Sequence, residues 1–274
     1  MGACHLCGTE ARRILESATD GVQTVQCQRC HLIFLDPAPG FDAADHYDAA
    51  YYRPWREQHA AARAGLWQRR VQLLGRHAPV GRLLDVGCGE GSFLRAGRDR
   101  GWRVTGTETS AWAVRALCQE GLDVLRGDLA GLSLPAASFD AVTMWHVLEH
   151  APRPLEVLTA ARRLLRPAGV LLVAVPNAAC RLFCLAYRVA RLRRLRYYTP
   201  GERELHLYHF TSETLRALLR RAGFEVVFEG IDHSALTLPR RCLEAAARGL
   251  YAISGRNWSE ALFVAARPRP AEQS

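Results

Sequence analysis

Arg82-Leu83-Leu84-Asp85-Val86-Gly87-Cys88-Gly89-Glu90-Gly91-Ser92-Phe93 is the stretch that decides the fold. Leu83 to Val86 reads as a short buried strand, and a glycine-rich turn stops it. A helix is expected from about Ser92 to Arg100. Such a turn lets backbone approach a ligand closely and aims the first amides of the helix at it. A dinucleotide site asks for G-x-G-x-x-G. Here the third glycine comes one residue early, as Gly87-x-Gly89-x-Gly91. Asp85 adds a second distinction. A carboxylate two residues before the first glycine can meet the ammonium of a methionine moiety, but it would be unwelcome beside a pyrophosphate. The turn therefore favours S-adenosylmethionine over a dinucleotide.

Downstream, strand and helix patterns alternate, which predicts a parallel sheet. A second strand, Trp102 to Thr107, ends at Glu108-Thr109, where a carboxylate can take both hydroxyls of a ribose. Ser110 is placed to cap the next helix, and Gly121 to end it. A third strand, Leu122 to Arg126, runs into Gly127-Asp128-Leu129, where a carboxylate can accept from an adenine amino group. The fourth, Phe139 to Met144, leads into Trp145-His146-Val147-Leu148-Glu149-His150, and the fifth, Val170 to Val175, stops at Pro176-Asn177.

Five strings in this order, LLDVGCGEGSF from Leu83, TGTETS from Thr105, RGDL from Arg126, FDAVTMWHVLEH from Phe139 and LLRPAGVLLVAVPN from Leu164, resemble the class I S-adenosylmethionine-dependent methyltransferases. The resemblance implies an α/β, Rossmann-like fold with a seven-stranded, mostly parallel sheet whose last strand is antiparallel. Strand six is expected at Phe224 to Phe228 and strand seven at Glu260 to Ala266. It also implies that Asp85, Gly87, Cys88, Gly89 and Gly91 line the methionine end. Glu108 and Thr109 would lie at the ribose, Asp128 and Leu129 at the adenine, and Trp145 beside the cofactor.

The N-terminus carries Cys4-x-x-Cys7 and Cys27-x-x-Cys30, separated by nineteen residues. Two such knuckles suit a tetrahedral zinc site. Cys27-x-x-Cys30-His31 also matches a c-type haem attachment pattern, but that would leave Cys4 and Cys7 unexplained. Val22 to Val25 and Leu32 to Leu35 read as short strands of a zinc-ribbon-like module over residues 1–40. Residues 41–80 read as a helical connector, with Tyr47, Tyr51, Tyr52, Trp55 and Trp67 packing on the main domain. The methyltransferase domain is expected over 81–274, with 178–210 as an insertion or acceptor lid. The paired knuckles, the D-P-x-P segment and the Tyr-rich run resemble a bacterial subgroup acting in sugar, polysaccharide or secondary-metabolite biosynthesis. A small-molecule acceptor is what that implies.

Methyl transfer is an in-line displacement at a sulfonium-activated carbon, so the protein must position the acceptor and remove its proton where needed. His146, just after strand four, is the best-placed base. His209, in His206-Leu207-Tyr208-His209-Phe210-Thr211, is the second; Thr211 is expected to cap a helix ending near Gly223. His146 to His150 also spells H-x-x-E-H, but a zinc peptidase carries that motif on a helix, and here it follows a strand. The resemblance includes quinone O-methyltransferases, in which comparable E-x-x-E-H positions can hold a divalent ion. This chain has His146 where those have Glu, and Glu149 and His150 are expected only to cap or orient the next helix.

The formal net charge is +9, and all 36 basic residues are Arg. From Ala151 to Pro200 there are ten Arg and one acid, so this stretch alone matches the net charge. Such a patch suits a solvated face, a phosphate-bearing acceptor, nucleic acid or an anionic membrane surface. Leu182, Leu185, Ala186, Val189, Leu192 and Leu195 recur there at helical spacing. An RNA methyltransferase is the main rival reading, weakened by a knuckle module that is not basic and by the absence of an N/D-P-P-Y motif after strand four. A non-catalytic zinc-stabilised binding protein is the third. The N-terminus does not read as a secretory signal and no run of 18 apolar residues exists, so a cytoplasmic protein is expected.

Overall fold

The computed structural model describes residues 3–38, 47–52, 60–192, 194–202 and 204–270. Its strands are β1 (Arg12–Ser17), β2 (Gln23–Cys27), β3 (Ile33–Asp36), β4 (Arg82–Val86), β5 (Arg103–Glu108), β6 (Asp123–Arg126), β7 (Phe139–Trp145), β8 (Leu165–Pro176), β9 (Tyr208–His209), β10 (Phe224–Ile231) and β11 (Ala261–Pro268). The helices are α1 (Ala60–His77), α2 (Ser92–Arg98), α3 (Ala111–Gln119), α4 (Pro154–Leu164), α5 (Arg181–Arg191), α6 (Ser212–Arg221) and α7 (Leu238–Ser254).

Seven strands form the main sheet in the order β10-β11-β8-β7-β4-β5-β6. β11 runs antiparallel to both its neighbours, while the ladders from β8 to β6 are parallel. The expected architecture is thus borne out. β8 lies inside the sheet, and its run from Val170 to Val175 is completely buried, because helices cover both faces of a parallel sheet. After β4 the chain builds outward through β5 and β6, then returns to the other side of β4 for β7. The carboxyl ends of β4, β5 and β7 therefore open on a crevice at this reversal, where open α/β sheets bind ligands.

Local chemistry sets the helix starts. Ser110 caps α3 by accepting from the Ala113 amide, and Thr211 with Thr214 forms a reciprocal cap on α6. In the connector, the structure places helix at residues 49–52 and in α1. Trp55 lies outside the described residues.

The N-terminal strands do not stand apart from the rest of the chain. β1, β2 and β3 form an antiparallel sheet that β9 extends, with Ile33 opposite His209 and Phe34 opposite Tyr208. Val25, Leu32 and Phe34 belong to the same buried cluster as Leu84, Val175 and Phe210. Polar ties reinforce this: the Tyr198 hydroxyl donates to Asp20 at 2.6 Å, and Arg196 donates to the Ser17 carbonyl at 2.9 Å.

Candidate active site

The turn after β4 takes its shape from its glycines. Gly87, Gly89 and Gly91 all have positive φ, at 63°, 56° and 79°. At Gly87 a Cβ would also come within 2.7 Å of the Val147 side chain, so the loop after β7 packs directly on the turn. Glu108 straps the turn down. One of its oxygens accepts from the Gly89 amide at 2.9 Å, and the other from the Ser110 amide at 2.9 Å and the Thr109 hydroxyl at 3.3 Å. Carboxylate oxygens carry further lone pairs, so Glu108 can still receive ribose hydroxyls.

Asp85 is buried at the end of β4 and accepts from the Thr143 hydroxyl at 2.6 Å. Burial pushes its pKa up to about 7, against the lowering pull of Thr143 and Arg70. The Cys88 side chain packs in a small cluster with Leu94 and Leu117, and burial pushes its thiol pKa well up, so it stays a neutral thiol. Asp128 accepts from the Ala130 amide at 3.3 Å and caps the short turn Leu129–Gly131; Leu129 itself is buried in the main core. The Trp145 ring stacks on Phe263 at 6.1 Å and meets Phe93 edge-on, with the Arg70 guanidinium 4.5 Å above it. That side chain is engaged in core packing. On the open side, the Tyr52 ring stacks on Trp112 at 5.8 Å and approaches Gly89, while the Ser110 hydroxyl donates to the Tyr47 carbonyl.

His146 follows β7 with φ 57°, a left-handed conformation rare outside glycine, which turns its ring away from the strand direction. Its Nε2 lies 3.2 Å from Asp232 and its Nδ1 3.5 Å from Glu149. Asp232 in turn receives two bonds from the buried Arg70, at 3.2 and 2.5 Å. Burial opposes ionisation of Asp232, but Arg70 and His146 hold it well below the usual carboxylate range. Burial also pulls His146 down, yet Asp232 and Glu149 outweigh it and hold the imidazole up at about 9. A cleft beside this chain of contacts has Asp232, Glu260 and Trp258 in its wall, with Leu182 and Phe183 from α5 and Leu243 from α7.

His209 is placed differently. It sits in β9 against the N-terminal sheet, 8% exposed, with the Tyr197 ring 4.9 Å away. Burial and the neighbouring His206 lower its pKa to about 3, which makes it a weak proton acceptor. It lies on the strand that pairs with β3, not in the Arg70–Asp232–His146 chain.

Glu149 is completely buried, and among the described residues neither carboxylate oxygen has a hydrogen-bond partner. Burial resists its charge, but His146, His150 and His206 together keep its pKa low. His150 Nδ1 lies 2.7 Å from the Leu205 carbonyl and so carries a proton, and its Nε2 lies 4.0 Å from Glu149. Ligand atoms of Glu149, His150 and His206 all lie within 4.8 Å of one another. Glu149 and His150 were expected to cap or orient the next helix; instead α4 starts without a side-chain cap, and the two residues organise 205–208. The Leu207 and Tyr208 amides both donate to the Glu149 carbonyl, at 2.8 and 3.1 Å.

The four N-terminal thiols converge. Cys4 and Cys30 Sγ are 3.5 Å apart, Cys7 and Cys27 Sγ 3.4 Å, and all four lie within 4.8 Å of one another. A tetrahedral metal with bonds of about 2.3 Å needs sulfurs about 3.8 Å apart, which this cluster reaches with small shifts.

Arg70, Thr143, Asp232 and His206 were not named as site residues by sequence reasoning. Thr143 and His206 lie within strings quoted above, but Arg70 and Asp232 belong to no motif, and the decisive contacts cross long stretches of chain: His146 and Asp232 are 86 residues apart.

Residues 57–229 match the methyltransferase domain family. A Mycolicibacterium smegmatis protein named as a probable S-adenosylmethionine-dependent methyltransferase is 30% identical over 74% of this chain and 78% of its own length. A ubiquinone biosynthesis O-methyltransferase of Nitrosococcus oceani is 30% identical over 61% of this chain and 75% of its own. Among solved structures, the CcbJ methyltransferase of Streptomyces caelestis superposes with a TM-score of 0.59, covering 84% of this chain and all of CcbJ, at 17% identity. That last likeness is one of fold.

Proposed function

The chain belongs to the methyltransferase domain family and works with S-adenosylmethionine; on that premise we propose that it methylates a small-molecule acceptor whose proton His146 removes. The cofactor would lie along Asp85, Gly87, Cys88, Gly89, Gly91, Glu108, Thr109, Asp128 and Leu129, touching Cys88 and Leu129 through backbone. Trp145 would support the pocket from the core side.

The observation that carries the reading is the chain Arg70–Asp232–His146 at the carboxyl end of β7, beside the glycine turn. It fixes the ring and, with Glu149, holds the imidazole largely protonated at neutral pH, so the basic form that would take a hydroxyl proton is the minor one there and grows as pH rises toward 9. Relatives named for ubiquinone biosynthesis act on a small molecule by that name, which favours a low-molecular-weight acceptor here. A sugar, polysaccharide precursor or secondary metabolite is the class we infer.

Two metal sites go with this reading. Cys4, Cys7, Cys27 and Cys30 would hold a structural zinc ion; four thiolates leave no open position on it, so its role is to fix β1–β3. Glu149, His150 and His206 fit a divalent cation in donor chemistry: a buried carboxylate with no hydrogen-bond partner among the described residues, and an imidazole whose other nitrogen is already engaged. Such an ion, when bound, would polarise an acceptor oxygen. Without it, the same residues still hold segment 205–208 against the site.

The test is transfer of labelled methyl from S-adenosylmethionine to a panel of hydroxylated small molecules and to RNA. Label should reach a small molecule and not RNA. His146→Ala should lower kcat by roughly 10²–10⁴-fold while leaving S-adenosylhomocysteine affinity unchanged. Labelled RNA, or full activity in the variant, would defeat the proposal.

A further inference from the structure

Beside the cleft, two helices present apolar surface to solvent. On α5, Leu182, Phe183, Ala186 and Tyr187 are half-buried, whereas Leu185, Val189 and Leu192, at its carboxyl end, are 60%, 70% and 92% exposed. Leu185 and Val189, four residues apart, share one line along the helix, and Leu192 follows as its left-handed C-cap. Arg181, Arg188 and Arg191 are exposed around that line, and residues 181–196 contain six Arg and no acid. α7 packs against α5 and repeats the pattern. Leu238, Leu250 and Ile253 are 74%, 37% and 88% exposed, Arg241 and Arg248 are exposed too, and the one acid of α7, Glu244, is paired with His233.

A single exposed leucine needs no explanation. Three exposed apolar residues at one end of a helix among arginines, beside a second helix of the same character, match the signature of a helix lying in a membrane interface. We propose that the outer faces of α5 and α7 dock this protein on an anionic lipid surface, with Leu185, Val189 and Leu192 in the acyl boundary and the arginines among the phosphates. Charge and apolarity together select this occupant. RNA would satisfy the arginines but leave the apolar line in water. A second copy would bring two acid-free arginine faces together, which repel. Anionic lipid answers both. Because α5 and α7 also supply walls of the cleft over Asp232, docking holds that cleft close to the headgroup layer.

The experiment is co-sedimentation of the full chain with phosphatidylcholine vesicles with and without phosphatidylglycerol, at low and high salt. The wild type should partition onto the anionic vesicles only, and salt should weaken it. Leu185→Ser with Val189→Ser, and separately Arg188→Gln with Arg191→Gln, should each weaken partitioning about tenfold or more. All variants should keep wild-type affinity for S-adenosylhomocysteine and wild-type thermal melting, since the altered side chains are exposed. No partitioning by the wild type overturns the proposal. So does partitioning that both variants retain, or a face that instead binds RNA or drives concentration-dependent dimerisation lost in the serine variant. Cofactor affinity is read separately, so failure here leaves the methyl-transfer reading standing.

Discussion

Two residues carry pH dependence, and both make the folded protein lose stability as pH rises, over different ranges. Asp85 has its pKa lifted to about 7 by burial, so the folded protein binds a proton there that the unfolded chain releases near 3.9. Asp85 therefore costs stability progressively as pH rises from about 4 to 7, and a bound ammonium offsets that cost. Affinity for S-adenosylhomocysteine should then be about tenfold weaker at pH 6 than at pH 8, with proton release on binding at the lower pH; calorimetry in two buffers of different ionisation heat measures both. His146 shifts upward, to about 9, once Asp232 and Glu149 have overcome its burial. Its stabilising contribution is complete below the unfolded value near 6.5 and is lost as pH rises through 9. Its basic form grows over the same range, so kcat should rise with pH and level off above about 9. Asp232→Asn removes the charge that holds the proton. The inflection of kcat against pH should move down, a displacement that a merely structural role for Asp232 would not produce. Because Arg70 then loses its buried partner, a drop in stability of about 3–5 kcal/mol should accompany the shift.

Among the elements, β4 and its glycine turn were legible because a short apolar strand, a carboxylate and three glycines each limit the local chemistry. β7, β8 and β11 were legible because buried strands of a covered sheet must be apolar over several residues, whereas β10, an edge strand with Val227 and Phe228 exposed, was placed by the family resemblance. β1 was not: Arg12–Ser17 is an edge strand, and half of its residues are exposed, so its sequence carries little pattern. β9 is two residues long and exists only because β3 lies beside it. The cage around Glu149 was half legible. His146, Glu149 and His150 share one motif, whereas His206 arrives through the β3–β9 contact. That contact also predicts a long-range effect of the proposed zinc site. If Cys4, Cys7, Cys27 and Cys30 hold zinc, Cys27→Ser should abolish zinc binding and lower the melting temperature, by about 2–4 °C for each kcal/mol lost. It should also raise amide exchange at Leu35, whose amide donates to the Leu207 carbonyl, and at Leu207 and Tyr208, whose amides donate to the Glu149 carbonyl. Exchange confined to residues 3–38 would mean that the thiol cluster supports only its own sheet.

At the scale of the whole molecule, the sheet brings three separately encoded groups to one crevice. The β4 turn and Glu108 define one side, the Arg70–Asp232–His146 chain the next, and the histidine cage with the N-terminal sheet behind it a third. The cleft beside Asp232 is lined by residues of α5 and α7 and by none of the four N-terminal cysteines. The account stands on one claim above the others: that the crevice at β4 and β5 holds S-adenosylmethionine through Asp85 and Glu108. The direct measurement is calorimetric titration of the purified protein with S-adenosylhomocysteine, beside Asp85→Ala and Glu108→Ala. Each carboxylate removed should cost about 1.5–3 kcal/mol, roughly 10- to 100-fold in affinity, while the melting transition stays cooperative. No binding to the wild type, or binding that both variants keep, would contradict the account.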